Sequence, residues 1–138
     1  MKKEEFEDIV AQEFHNAIPD SFQEKIHNVA FLVEDEPSSE IRSSQHLSSK
    51  ETLLGLYQGV PVTARGNYYG VGTTLPDTII LYRFSIEEEA RELCGWNKSL
   101  FEDKLREVIR GTIWHEVAHH FGFNEREIRT RERKGGEK

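Results

Sequence analysis

Disulfide chemistry is nearly excluded by composition: the 138 residues contain a single cysteine, Cys94, so no intramolecular bridge can form. Positive charge is in deficit, with 18 Lys and Arg against 25 Asp and Glu. The resulting net charge of -7 and pI near 5.4 argue against broad binding to nucleic acid or anionic membrane. No apolar run approaches the roughly 18 residues of a membrane span. The opening MKKEEFEDIV lacks the apolar stretch of a secretory signal, so a soluble, cytoplasmic protein is expected. Hydrophobic residues are scarce as well, at 36%, yet sufficient for one core. Length and composition therefore predict a single domain over residues 1–134 with a frayed tail at 135–138.

The charge is uneven. Residues 1–40 hold 11 acids against 3 lysines, whereas residues 124–138 hold 6 bases against 4 acids. Solvated helix faces account for both. Phe6, Ile9, Val10, Phe14, Ala17 and Ile18 keep helical spacing and predict a first amphipathic helix. Val29 to Val33 form a short, β-branched apolar run expected to be a mostly buried strand. From Pro37 to Lys50 six of 14 residues are serine, which reads as an exposed loop. LLGLYQGVPVTARG predicts two short strands about a turn at Gln58-Gly59, and TIILYRF at 78–84 is the best strand signal. Gly70 and Gly72 open no helix and carry no phosphate-binding pattern. Ser85 with Glu88 reads as a capping box for the next helix. Ser99 reads as the cap of the longest helix, placed at about 100–120 and ended by Gly122, with a last polar helix at about 125–133. Helices flanking a few strands make an α+β fold whose sheet includes residues 29–34 and 78–83.

The stretch WHEVAHHFGFNE, residues 114–125, carries the chemistry. His115, Glu116 and His119 form H-E-x-x-H inside the strongest helix. Four residues turn through about 400°, so His115 and His119 project within roughly 40° of each other. Two imidazoles one turn apart suit one Zn²⁺ at about 2.0–2.1 Å. Glu116 points in a neighbouring direction, toward a water on the metal. This is the arrangement of metal-assisted hydrolysis, in which zinc acidifies water and the glutamate moves the proton. Given this composition, H-E-x-x-H alone arises by chance in about 4% of such sequences. Adding Gly122 at +7 and an acid at +10 brings that to well under about 0.1%. A catalytic zinc usually takes a third protein ligand. Glu125 is the preferred residue, since Gly122 lets the chain turn back, and Glu127 is the alternative if the last helix starts differently. His120 sits about 100° round from His119 and reads as a packed histidine with a hydrogen-bond partner. His15, His27 and His46 are scattered, although the loop holding His46 could reach a cleft. Tyr57, Tyr68, Tyr69, Tyr82 and His46 are alternatives for a transition-state donor.

H-E-x-x-H-H-F-G followed by an acid resembles the pattern of a family of small bacterial zincin-like metallopeptidases. VAFLVEDEP, LLGLYQGVPVTARG, PDTIILYR and LREVIRGTIWHEVAHHFG are similar to the same pattern, and the likeness covers most of residues 4–130. The resemblance implies a minimal zincin fold, a small mixed sheet packed on a long active-site helix. It further implies zinc held by His115, His119 and the acid at 125, with Glu116 as catalytic base. The family more often has Asp where this chain has Glu125, one methylene longer. The metzincin pattern fits less well, because it needs a third His at +10 and a downstream methionine, and Met1 is the sole methionine.

Two classes of function follow. The first is a zinc-dependent peptidase-like hydrolase acting on peptide or protein substrates. The second is a zinc-binding interaction or regulatory module without turnover, a reading favoured by the lack of sequence for a second subdomain to wall a cleft. RNA-processing metalloproteins share the ligand spacing, but Glu116, Glu125 and the acidic balance count against that third class.

Overall fold

A computed structural model describes residues 1–20, 29–45, 53–59 and 77–120. In chain order these form α1 (Lys3–Ala17), β1 (Val29–Glu34), α2 (Ser39–Ser44), β2 (Gly55–Gln58), β3 (Asp77–Tyr82), α3 (Arg83–Leu93) and α4 (Lys98–His120). The fold is α+β, with four helices about a small mixed sheet among the described residues.

The sheet order is β1-β3-β2. β1 runs parallel to β3, from Val29 opposite Asp77 to Glu34 opposite Tyr82. β2 runs antiparallel, with Gly55 opposite Leu81 and Gln58 opposite Thr78. As the central strand, β3 is buried on both faces, which explains its unbroken apolar run from Ile79 to Tyr82. β1 departs from the expected mostly buried strand. Val29, Phe31 and Val33 face the core, whereas Ala30 is exposed and Leu32 keeps 47% of its surface. It is an outer strand of the three, so the second face of its pleat gains less cover.

α1 buries Phe6, Ile9, Val10 and Ala17, the spacing expected of an amphipathic helix. α4 supplies Leu105, Val108, Ile109, Ile113, Trp114, Val117 and Ala118 to the same core. It touches α1, α3, β2 and β3. Glu13 on α1 ties the two long helices together by accepting hydrogen bonds from Arg106 Nη1 at 3.0 Å and Arg110 Nη1 at 2.7 Å. Burial alone would raise its pKa, but bonding to Arg110, Arg106 and Asn16, with the Arg110 charge, holds the carboxyl below its ordinary value.

Three local boundaries differ from expectation. α3 starts at Arg83, so Ser85 lies inside it rather than capping it. The Phe84 N–H donates instead to the Asp35 carbonyl at 3.0 Å, a tertiary contact that meets the need of the first turn. Asn97, not Ser99, caps α4, its Oδ1 accepting from the Ser99 N–H at 3.0 Å. Within the serine-rich stretch, Ser38 caps the short helix α2, which is otherwise exposed. The second strand expected after Gln58, the stop at Gly122 and the last polar helix lie outside the described residues.

Candidate functional site

The site is assembled where α4 passes beside β2. A Cβ on Gly55 would stand 2.7 Å from Thr112 Cγ2 and 3.0 Å from the Ile80 carbonyl oxygen. Glycine therefore allows the strand to approach the helix this closely. Thr112 is buried there, its hydroxyl donating to the Val108 carbonyl at 2.7 Å. Glu116 lies one helical turn beyond Thr112, as Tyr57 lies two residues beyond Gly55 on the same face of the strand. The second pair meets as the first does, with the Tyr57 N–H donating to Glu116 Oε1 at 3.0 Å.

This bond uses a donor that the sheet leaves over. The Tyr82 N–H donates to the Leu54 carbonyl at 2.9 Å, which fixes the phase of the antiparallel ladder. In that phase Leu56 and Gln58 point their backbone groups at β3, whereas Gly55 and Tyr57 point theirs outward.

Beside this contact is a groove of about 420 Å³ lined by Leu53, Leu54, Gly55, Val108, Gly111, Thr112, His115 and Glu116. His115 and Glu116 are both half-buried, unlike their core neighbours Trp114 and Val117. Position 119 follows one turn after His115 on the unbroken helix α4, as the spacing requires. The His119 side chain lies outside what is described, as do Glu125, Glu127, His27, His46, Tyr68 and Tyr69. Among the described residues no group of three or more His, Cys, Asp or Glu forms a metal site. What is described fits one in its donor chemistry: an imidazole at 115 opens on the groove and a carboxylate adjoins it.

His120, read as a packed histidine with a hydrogen-bond partner, is exposed yet packs against β2. Its ring stacks on Tyr57 at 4.0 Å between centroids and 17° between planes. Its Nε2 stands 3.9 Å from Asp77 Oδ2. The Tyr57 hydroxyl donates to that same Asp77 oxygen at 2.7 Å. Asp77 and the contact role of Tyr57 went unread in the sequence: both lie far from the motif, and only the alignment of β2 with β3 brings them to it. Of the tyrosines considered as transition-state donors, Tyr57 is thus bonded to Asp77. Tyr82 is fully buried, and its hydroxyl has no hydrogen-bond partner among the described residues. Burial first, then the negative charges of Glu34 and Glu116, push its pKa up, so the phenol stays protonated.

The family model for zincin-like metallopeptidases matches residues 26–135, which include β1, the whole groove and the histidine motif. No curated protein matches the chain. No helix among the described residues is long and apolar enough to cross a membrane.

Proposed function

We propose, for a chain that belongs to the zincin-like metallopeptidase family, that it is a zinc-dependent peptidase in which His115, His119 and Glu125 hold the metal and Glu116 is the base. Membership brings a metal, typically zinc, and peptide or protein substrates as the general setting. The observation that carries the finer assignment is the placement of His115 and Glu116 side by side on the groove wall, at the outward edge of β2.

Bound zinc would supply Lewis acidity toward a carbonyl and lower the pKa of a water at the site. Glu116 then accepts the proton of the attacking water and delivers it to the leaving amine. An extended substrate runs along the outward backbone groups of Gly55, where β2 borders the groove. The groove between β2 and α4 takes the side chains that point toward His115.

Glu116→Gln keeps the size and a hydrogen-bond acceptor but cannot take a proton. It should fold, retain about one zinc per chain, and lose peptide hydrolysis by on the order of 10² or more. A diverse peptide library read by mass spectrometry provides the assay. If the zinc-loaded wild type cuts nothing across that library, the module without turnover becomes the better reading. The ligand set is tested separately by elemental analysis after mild chelation. His119→Ala and Glu125→Ala should lose zinc, whereas Glu125→Asp should keep much of it. Loss in Glu127→Ala instead would move the third ligand to that position.

A further inference from the structure

Glu116 is joined to the central strand by a line of contacts that runs through Tyr57. Asp77 is the first residue of β3, paired with Val29 on one side, and so belongs to the best-held strand of the sheet. Its Oδ2 accepts the Tyr57 hydroxyl at 2.7 Å. The Tyr57 ring is covered by His120, and the Tyr57 N–H rests on Glu116 Oε1 at 3.0 Å. β2 has only four residues and is an outer strand among the described ones, so its ladder to β3 alone holds it weakly. A phenol pinned at its far end to β3 adds a restraint at the residue whose amide meets the carboxylate.

We propose that Tyr57 and Asp77 are positioning residues for Glu116. Asp77 fixes the Tyr57 phenol, the phenol fixes the backbone of β2 at that point, and the outward amide fixes one oxygen of the carboxylate. This rests on the reading of Glu116 as the base. The geometry serves that role because a glutamate side chain has several rotatable bonds, and proton transfer needs one orientation. An edge-strand N–H is a rigid donor for the purpose. The Asp77 contact makes the donor's position depend on β3 rather than on the short strand alone.

Amide hydrogen exchange on the metal-free protein, followed residue by residue by NMR, tests the line without needing zinc or turnover. The Tyr57 amide should exchange slowly in the wild type although it points away from β3. In Glu116→Ala it should exchange about tenfold faster or more, and in Glu116→Gln it should stay protected, since the amide oxygen still accepts. Asp77→Ala should accelerate it similarly, while Asp77→Asn, which still accepts from the phenol, should preserve it. Through all four variants the Leu56 amide, bonded to β3, should not change. An unchanged Tyr57 amide in Asp77→Ala would overturn the proposal. So would equal loss in Asp77→Asn, or acceleration of Leu56 together with Tyr57, which would make Asp77 a strand anchor and nothing more. Once a cleaved peptide is in hand, Asp77→Ala should lower kcat by roughly 10-fold with KM within about 2-fold, the scale of outer-shell substitutions. A change in KM alone would overturn the positioning role. A wild type that cleaves no peptide would overturn the proposed function instead, leaving the exchange result to stand or fall separately.

Discussion

Gly55 decides how near the edge strand comes to the motif helix. Alanine there would drive its Cβ against Thr112 Cγ2 and the Ile80 carbonyl. Gly55→Ala should cost about 1–3 kcal/mol, the range for overpacking a tight contact, as read by chemical denaturation. Thr112→Ser removes the clashing methyl and keeps the hydroxyl that bonds Val108. The double variant should therefore recover part of the loss, a coupling that a mutant cycle measures directly. Tyr82 offers the opposite case. Its buried hydroxyl has no partner among the described residues, so Tyr82→Phe should leave stability unchanged or raise it by up to about 1–3 kcal/mol. A clear loss of stability would mean the hydroxyl is satisfied in solution. At this scale the sequence was legible where chemistry is local: H-E-x-x-H needs only helical spacing to be understood. Tyr57 and Asp77 could not be read, because their contacts depend on how β2 and β3 align. His120 was read as packed beside a polar partner, but its neighbours could not be named, since Tyr57 and Asp77 are brought to it by the strands.

Among the elements, the α1–α4 pair shows how an acidic segment is accommodated. Glu13 is buried, while its partners Arg106 and Arg110 keep part of their side chains in water. Losing the carboxylate should therefore cost about 2 kcal/mol, less than for a fully buried pair, because the arginine heads can be rehydrated. The dependence on pH follows from the lowered pKa of Glu13. The folded value lies below the unfolded one, so its stabilisation is complete above the ordinary carboxylate value of 4.5 and fades as pH falls through the folded value. The difference in unfolding free energy between wild type and Glu13→Gln should accordingly be largest near neutrality and shrink in acid. A difference that grew on acidification would contradict this assignment. Most element types were readable from pattern, since β1, α1 and α4 each bury one face and β3 is an unbroken apolar run. Their boundaries were less so. Ser85 looked like a cap because capping is usually local, yet the turn it would serve is met by Asp35 from the end of β1. Asn97 won over Ser99 because its amide oxygen reaches the backbone two residues on.

For the molecule as a whole, the motif helix is also the main support of the core, touching α1, α3, β2 and β3. Metal binding at His115 and His119 should thus couple to global stability. Free zinc at 100-fold over its dissociation constant would contribute about 2.7 kcal/mol. Chelation should lower Tm by several degrees in the wild type, with recovery on adding zinc, and should leave His119→Ala unmoved. The α+β class and the family pattern were legible in the sequence because they are written in spacing. The mixed character of the sheet came with the family resemblance, whereas the strand order and the choice of β1 as the parallel neighbour of β3 did not, since neither leaves a mark on a single run of residues.

The burial of Trp114, one residue before the first motif histidine, has an optical consequence. Trp114 is 3% exposed and Trp96 is 66% exposed, so two emitters sit in opposite environments. Steady-state fluorescence should contain a short-wavelength component shielded from iodide and a long-wavelength component quenched by it. Trp96→Phe would remove the second and leave a single dye adjoining the motif. Its emission could then follow occupancy by a paramagnetic or coloured divalent ion without any added label.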